Sequence, residues 1–196
     1  MGLGIRVCRG ASGLNVDMEI KKDILEPVPG FSREIGYYLA AWEKARAQTR
    51  KLVEDLSEEE LARRILPNIH SIGAIVIHLG EAEFYWMQFV VAKKEVTEAD
   101  KKFSHWCDTL ETDFDKGYSA QYCLDTIDRI SQMTRELLSD KTDADLEKLH
   151  LRDDFGEPMH LSLRSILQRL VDHEAHHRGQ IAMIRRLLRG GETLTK

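Results

Sequence analysis

Residues 163–189, LRSILQRLVDHEAHHRGQIAMIRRLLR, set between Ser162 and the pair Gly190-Gly191, decide how this chain folds. Steps of three and four along this stretch join Ile166, Leu170, His173, His177, Ile181, Ile184 and Leu188 into one stripe, the period of a helix with a single buried face. Ser162 is placed to cap its start, and the two glycines to end it near Arg189. Two imidazoles therefore occupy positions that otherwise hold core aliphatics. Three of the eight histidines fall within five positions here, at 173, 176 and 177.

Working outward, three more helices of this kind precede it. After Pro27, Pro29 and Gly30, the positions Ile35, Leu39, Trp42, Leu52 and Leu56 predict helix one over about Ser32 to Leu56. Ser57-Glu58-Glu59-Glu60 has the capping-box pattern and opens a short connector that Pro67 ends. Helix two is expected from Ser71 to about Lys93, with Ile72, Ile75, Leu79, Ala82, Trp86 and Phe89 along a broad apolar stripe. Helix three, about Ser119 to Ser139, puts Cys123, Ile127, Ile130, Met133 and Leu137 on one side. The link from Lys94 to Gly117 is too long for a tight helical hairpin and implies a long crossover between helices two and three, with one short helix near Glu98 to Phe103. Between Leu149 and Leu161, alternating residues around Asp153-Asp154-Phe155-Gly156 suggest a small two-stranded ribbon before helix four. The expected class is all-α, a four-helix bundle over residues 31–190. Residues 1–30 form an N-terminal extension, in which the glycine-rich part to Asp23 has neither a helical nor a strand period and is read as a candidate disordered tail, and residues 191–196 form a C-terminal tail.

Composition narrows the function classes. The 196 residues carry 31% charged and 42% hydrophobic side chains with only four prolines, which suits a single soluble helical domain. A formal charge of −5, with basic residues scattered among acids, argues against a nucleic-acid partner. Cys8, Cys107 and Cys123 share no C-x-x-C spacing, so neither a disulfide framework nor a cysteine zinc site is expected. No run of signal-peptide or membrane-spanning length occurs, so a cytoplasmic protein without membrane association is expected.

The histidines carry the chemistry. Residues four apart sit one turn up the same helix face, so His173 and His177 can converge on one ion, and His78 on the inward part of helix two is the natural third ligand. Buried without a shared metal, three imidazoles would be costly polar groups; with it, the cost is met and a coordination position stays open, as in a catalytic rather than a closed structural site. Neutral imidazoles suit zinc or nickel best, with iron, manganese or copper also acceptable. The string His173-Glu174-Ala175-His176-His177 also satisfies H-E-x-x-H, but Gln180 and Met183 stand where the extended protease form wants glycine and histidine, and the short tail offers no good further ligand. Glu174 stays a candidate water-activating base, against a solvated or supporting carboxylate. His176 reads as a supporting or surface histidine, Gly179 as a site of close helix packing, Glu81 and Glu83 as candidate partners for a ligand's second ring nitrogen, and Tyr85, Trp86 and Phe89 as core residues, some of which can shape a pocket.

Two stretches, Asn68 to Trp86 with His78-Leu79-Gly80-Glu81-Ala82-Glu83-Phe84-Tyr85-Trp86, and Gly156 to Leu188 with His173 to Ile181, resemble the two signature regions of the DinB/YfiT-like superfamily. The helix order agrees from about Ser32 to Leu188. The resemblance implies a four-helix bundle with one divalent metal on His78, His173 and His177, and a small-molecule substrate. It further implies an enzyme that transfers a low-molecular-weight thiol to an electrophile in detoxification or stress response. The alternatives are a hydrolase using metal-activated water with Glu174 as base, and a non-catalytic metal-binding stress protein. By the same likeness a homodimer is expected, for which Val90, Val91 and Leu187 are candidate apolar contacts.

Overall fold

The computed structural model describes residues 22–106, 118–154 and 156–190. Most of the N-terminal tail, Cys8, Cys107 and the segment 191–196 lie outside the described residues. In chain order the elements are α1 (Arg33–Val53), α2 (Glu58–Ala62), α3 (Ile72–Phe84), which continues as a π-helical segment (Tyr85–Val91), α4 (Glu98–Ser104), α5 (Ala120–Leu138), a 3-10 turn (Asp143–Glu147), strands β1 (Leu149–Arg152) and β2 (Met159–Ser162), and α6 (Leu163–Leu188). α1 packs on α6, α6 on α3 and α3 on α5, and α5 touches α1 to close the ring, so α1 and α3 stand across a diagonal. The long link after the second bundle helix is present and carries α4; it joins α3 and α5, which pack side by side.

Local chemistry explains most boundaries. Ser57 and Glu60 form the expected reciprocal box at the start of α2, and Thr97 with Asp100 does the same for α4. Ser71, Ser119 and Ser162 accept from backbone amides three residues on, capping α3, α5 and α6. The start of α1 is different: Ser32 makes no cap bond of its own, and its hydroxyl donates to Asp143 Oδ1 at 2.7 Å. The same oxygen accepts the amides of Glu34 and Ile35, so a residue from the 3-10 turn caps a helix 109 positions away. The ribbon forms as an antiparallel pair, Leu149 opposite Ser162 and Arg152 opposite Met159, and leads directly into α6.

Several expected core positions shift. Helix two is not α-helical to its end. Within the π segment the amide of Ala92 reaches the carbonyl of Met87, and the wider turn changes which side chains face inward. Met87, Val90 and Val91 enter the core, while Trp86 and Phe89, expected inside, are half-buried. Val90 and Val91 are thereby withdrawn from any subunit contact, whereas Leu187 is 56% exposed. On α5 the buried positions near the end are Thr134 and Leu138, one residue on from those expected.

The core is divided. One apolar cluster includes Val53, Leu61, Ile75, Leu79, Cys123, Ile127, Ile181 and Ile184, and a second includes Ile35, Leu39, Trp42, Met87, Leu138, Ile166 and Leu170. Between the two fall polar residues, Arg46 and Thr49 on α1, Glu83 on α3, Ser131 and Thr134 on α5, and His173, Glu174 and His177 on α6, with His78 beside the last α3 residue of the first cluster, Leu79. A polar layer crosses the bundle at mid-height, and the candidate site is its edge. Among the described residues, no helix is long and apolar enough to cross a membrane.

Candidate metal centre

The i, i+4 spacing on α6 places His173 and His177 one above the other with ring centroids 4.3 Å apart, and α3 brings His78 to 5.1 Å from each. One ring nitrogen from each of the three lies within 4.8 Å of the other two. His173 Nε2 and His177 Nε2 face each other at 3.0 Å. All three side chains are half-buried, so the cluster is open on one side to solvent.

The rings are oriented from behind. Gln180 Oε1 lies 2.7 Å from His177 Nδ1, and an amide oxygen can only accept, so Nδ1 carries the proton and Nε2 offers its lone pair. Glu81 Oε2 stands 3.2 Å from His78 Nδ1, which likewise leaves Nε2 for a ligand role. Burial, reinforced by His177 and His78, pushes His173 down to about 3. Burial also lowers His177, against the bond it donates to Gln180. These imidazoles are neutral at pH 7, the form in which nitrogen binds a cation. Three convergent ring nitrogens, with the far nitrogens of His177 and His78 tied down, are a donor set that fits one first-row divalent ion.

His176 is exposed and meets Gln180 Nε2 at 3.1 Å, outside the triad. Arg178 donates to Gln48 on α1. Gly179 has nothing within 4 Å of where a Cβ would stand, so it allows no close packing, contrary to expectation. The close approach is at Gly80, where a Cβ would lie 3.0 Å from Ile130 Cδ1.

Glu174 is placed differently from a water-activating base. It is 1% exposed, Arg46 donates to its Oε2 from Nε at 2.9 Å and from Nη2 at 2.8 Å, and Thr49 donates to Oε1 at 2.6 Å. One position along the helix from His173 rotates it about 100° into the core. Glu83 does not meet a histidine either: it faces Arg46 Nη2 at 3.2 Å and accepts from Thr134 at 2.6 Å. Burial, outweighing the attraction of Arg46, pushes the Glu83 carboxyl up to about 7. For Arg46, burial opposes the charge, but Glu174 and Glu83 outweigh it and hold the guanidinium above its ordinary value. Arg46 also donates to Ser131 and lies over the Trp42 ring, so it ties together α1, α3, α5 and α6. The sequence reading missed this network. Its signal is that the α1 stripe Ile35, Leu39, Trp42 continues by four and three to Arg46 and Thr49, a charge and a hydroxyl at core positions.

The model of the mycothiol-S-transferase family matches residues 38–190, a span that contains all three histidines and Arg46. No curated protein matches the chain. Among solved structures, a DinB-like protein from Bacillus cereus ATCC 10987 is 24% identical, with 83% of this chain and 96% of that one covered and a TM-score of 0.57. A conserved protein from Enterococcus faecalis is 16% identical, with 78% and 95% covered and a TM-score of 0.62. A DinB-like protein from Bacillus subtilis is 19% identical, with 81% and 94% covered and a TM-score of 0.53. These structures share the bundle, and the family model spans it from within α1 to the end of α6. The chain therefore belongs to the mycothiol-S-transferase family, within the DinB/YfiT-like superfamily.

Proposed function

We propose that His78, His173 and His177 hold one divalent metal ion, zinc or nickel, and that the protein joins a low-molecular-weight thiol to a small electrophile. The observation that carries this reading is the convergence of three ring nitrogens within 4.8 Å on a solvent-facing edge of the bundle. The family match supports thiol transfer as the reaction, with mycothiol the first thiol to test.

A bound divalent ion with an open position would favour the thiolate form of an incoming thiol at neutral pH. The chain's own residues do the rest. Gln180 and Glu81 fix the ring orientation of His177 and His78. The Arg46 network clamps α6 against α1, α3 and α5, which keeps the two α6 histidines at constant height relative to His78. In the transfer, the sulfur–carbon bond forms, the electrophile's leaving group departs with its electron pair, and the thiol proton passes to solvent. Hydrolysis is less well supported, because the carboxylate expected to act as base has both oxygens engaged by Arg46 and Thr49.

The test is conjugation of mycothiol with 1-chloro-2,4-dinitrobenzene by the zinc- or nickel-loaded protein. Product formed by the parent, and lost in His173→Ala, supports thiol transfer. A metal-loaded protein that conjugates neither mycothiol nor cysteine-based thiols with this or other electrophiles would contradict it.

A further inference from the structure

The polar layer behind the histidines sets one cation against two acids. Arg46 Nη2 lies 2.8 Å from Glu174 Oε2 and 3.2 Å from Glu83 Oε2, which puts these two oxygens about 6 Å apart at most. Both carboxylates are 1% exposed. Two like charges this close, away from water and sharing one guanidinium, disfavour full ionisation of the pair. With both acids ionised the layer carries one excess negative charge; with one proton bound it is neutral.

The two acids are not equally served. Glu174 accepts from Arg46 Nε and Nη2 and from Thr49. Glu83 has the longer contact to Arg46, Ser131 Oγ at 3.4 Å and Thr134 Oγ1 at 2.6 Å, and a hydroxyl can accept as well as donate. The proton therefore belongs on Glu83, which burial pushes up to about 7. The groups that face it are Arg46 from α1, Glu174 from α6, and the hydroxyls of Ser131 and Thr134 from α5.

This proton has a way out. A cleft of about 200 Å³ opens between α1 and α5, across the bundle from the histidine edge, and its lining includes Trp42, Arg46, Asp128 and Ser131. Ser131 links this cleft to Glu83. Toward the other side, Glu174 adjoins His173 in sequence, and Glu83 follows His78 by five residues, about 7.5 Å along α3. The layer thus meets solvent at one end and the three histidines at the other.

We infer that Glu83 is a proton-linked counter-charge for the metal centre: it holds a proton in the metal-free protein and releases it to solvent when a divalent ion binds the three histidines. This concerns the regulation of that site and rests on the three-histidine metal reading. Imidazoles bind a cation as neutral ligands, so the ion's two positive charges enter without compensation, and an ionised Glu83 sets one negative charge behind them. In the exchange the Glu83 O–H bond breaks, its electron pair stays on the carboxylate, and the proton passes to the buffer. Below about pH 7 the ion must expel that proton and binds more weakly; above it the negative charge is already in place. Glu83 acts through its charge and is not a ligand.

The experiment is calorimetric titration of zinc into the full chain at pH 7, in two buffers of different ionisation enthalpy, which counts the protons released per ion. The parent should release about half a proton more than Glu83→Gln, because at that pH about half of the metal-free chains hold the Glu83 proton. Protons from groups common to both chains cancel in the difference. Zinc affinity of Glu83→Gln should be about tenfold below the parent's at pH 8, the scale of a divalent charge acting on a buried carboxylate one to two helical turns away, and the gap should close toward pH 6. A variant that only disturbed packing would lower affinity by the same factor at every pH. Infrared difference spectra of the parent give a second reading, in which the protonated-carboxyl band is lost on zinc loading. Equal proton release by parent and variant, both taking up zinc, or a carboxyl band unchanged by zinc, would overturn the inference and leave the metal site standing. A parent that takes up no zinc would overturn both.

Discussion

His173 Nε2 and His177 Nε2 stand 3.0 Å apart across one turn of α6, and the far nitrogen of His177 is tied to Gln180. Two lone pairs so close are stabilised either by a shared proton or by a cation between them. With burial pushing His173 to about 3, the folded metal-free protein resists protonation that the unfolded chain accepts near 6.5. The unfolded state thus binds more protons between these values, and stability rises with pH there. The stability of the metal-free protein should fall as pH drops below about 6.5 and toward 3, where His173 of the folded parent is at last protonated. Thermal melts from pH 7.5 to 4 should show a shallower loss for His173→Ala than for the parent. Parallel curves would mean that His173 is not held neutral by the fold.

Arg46 is the single cation facing two buried carboxylates, Glu83 and Glu174, among the described residues. Arg46→Met leaves both without a counter-charge and should destabilise the protein by on the order of 3–5 kcal/mol in denaturant titration. Adding Glu83→Gln and Glu174→Gln to that variant should recover a large part of the loss, because no buried charge is then left unpaired. A loss below about 1 kcal/mol for Arg46→Met, the scale of an exposed ion pair, would show that this layer is open to water.

Two glycines near the histidines should respond in opposite directions. At Gly179 an added methyl meets nothing within 4 Å, so Gly179→Ala should stabilise α6 by about 0.5–1 kcal/mol. At Gly80 the methyl would stand 3.0 Å from Ile130 Cδ1 and 3.1 Å from Ile127 Cγ2. Overpacking costs about 1–3 kcal/mol, against a gain of about 1 kcal/mol in helix propensity, so Gly80→Ala should be a net loss. Urea unfolding of the two variants checks both signs.

The helices, the ribbon and the histidine triad were legible because each follows from local spacing: the 3.6-residue stripe, the Ser57–Glu60 box, the alternation around Asp153-Asp154, the i, i+4 imidazoles. What escaped depends on contacts distant in sequence. Nothing around Ser32 shows that Asp143 will cap α1. The π segment escaped because a one-residue change in hydrogen bonding alters which of Tyr85 to Val91 face inward while the apolar composition stays the same. Glu174 was left open between base and supporting carboxylate for a related reason: its sequence neighbours suggest a base, but its partners Arg46 and Thr49 come from a different helix. Arg46 itself was within reach, since a charged residue that continues a core stripe needs a buried counter-charge.

The central claim is that one ion sits among His78, His173 and His177, and metal content per chain measures it most directly. Elemental analysis of tag-free protein, as purified and after reconstitution with zinc or nickel, should give about one ion per chain, the single site expected of three convergent imidazoles. His78→Ala and the double variant His173→Ala/His177→Ala, purified alike and folded by circular dichroism, should lose it. A parent that takes up no metal, or folded variants that retain the parent's full complement, would contradict the site.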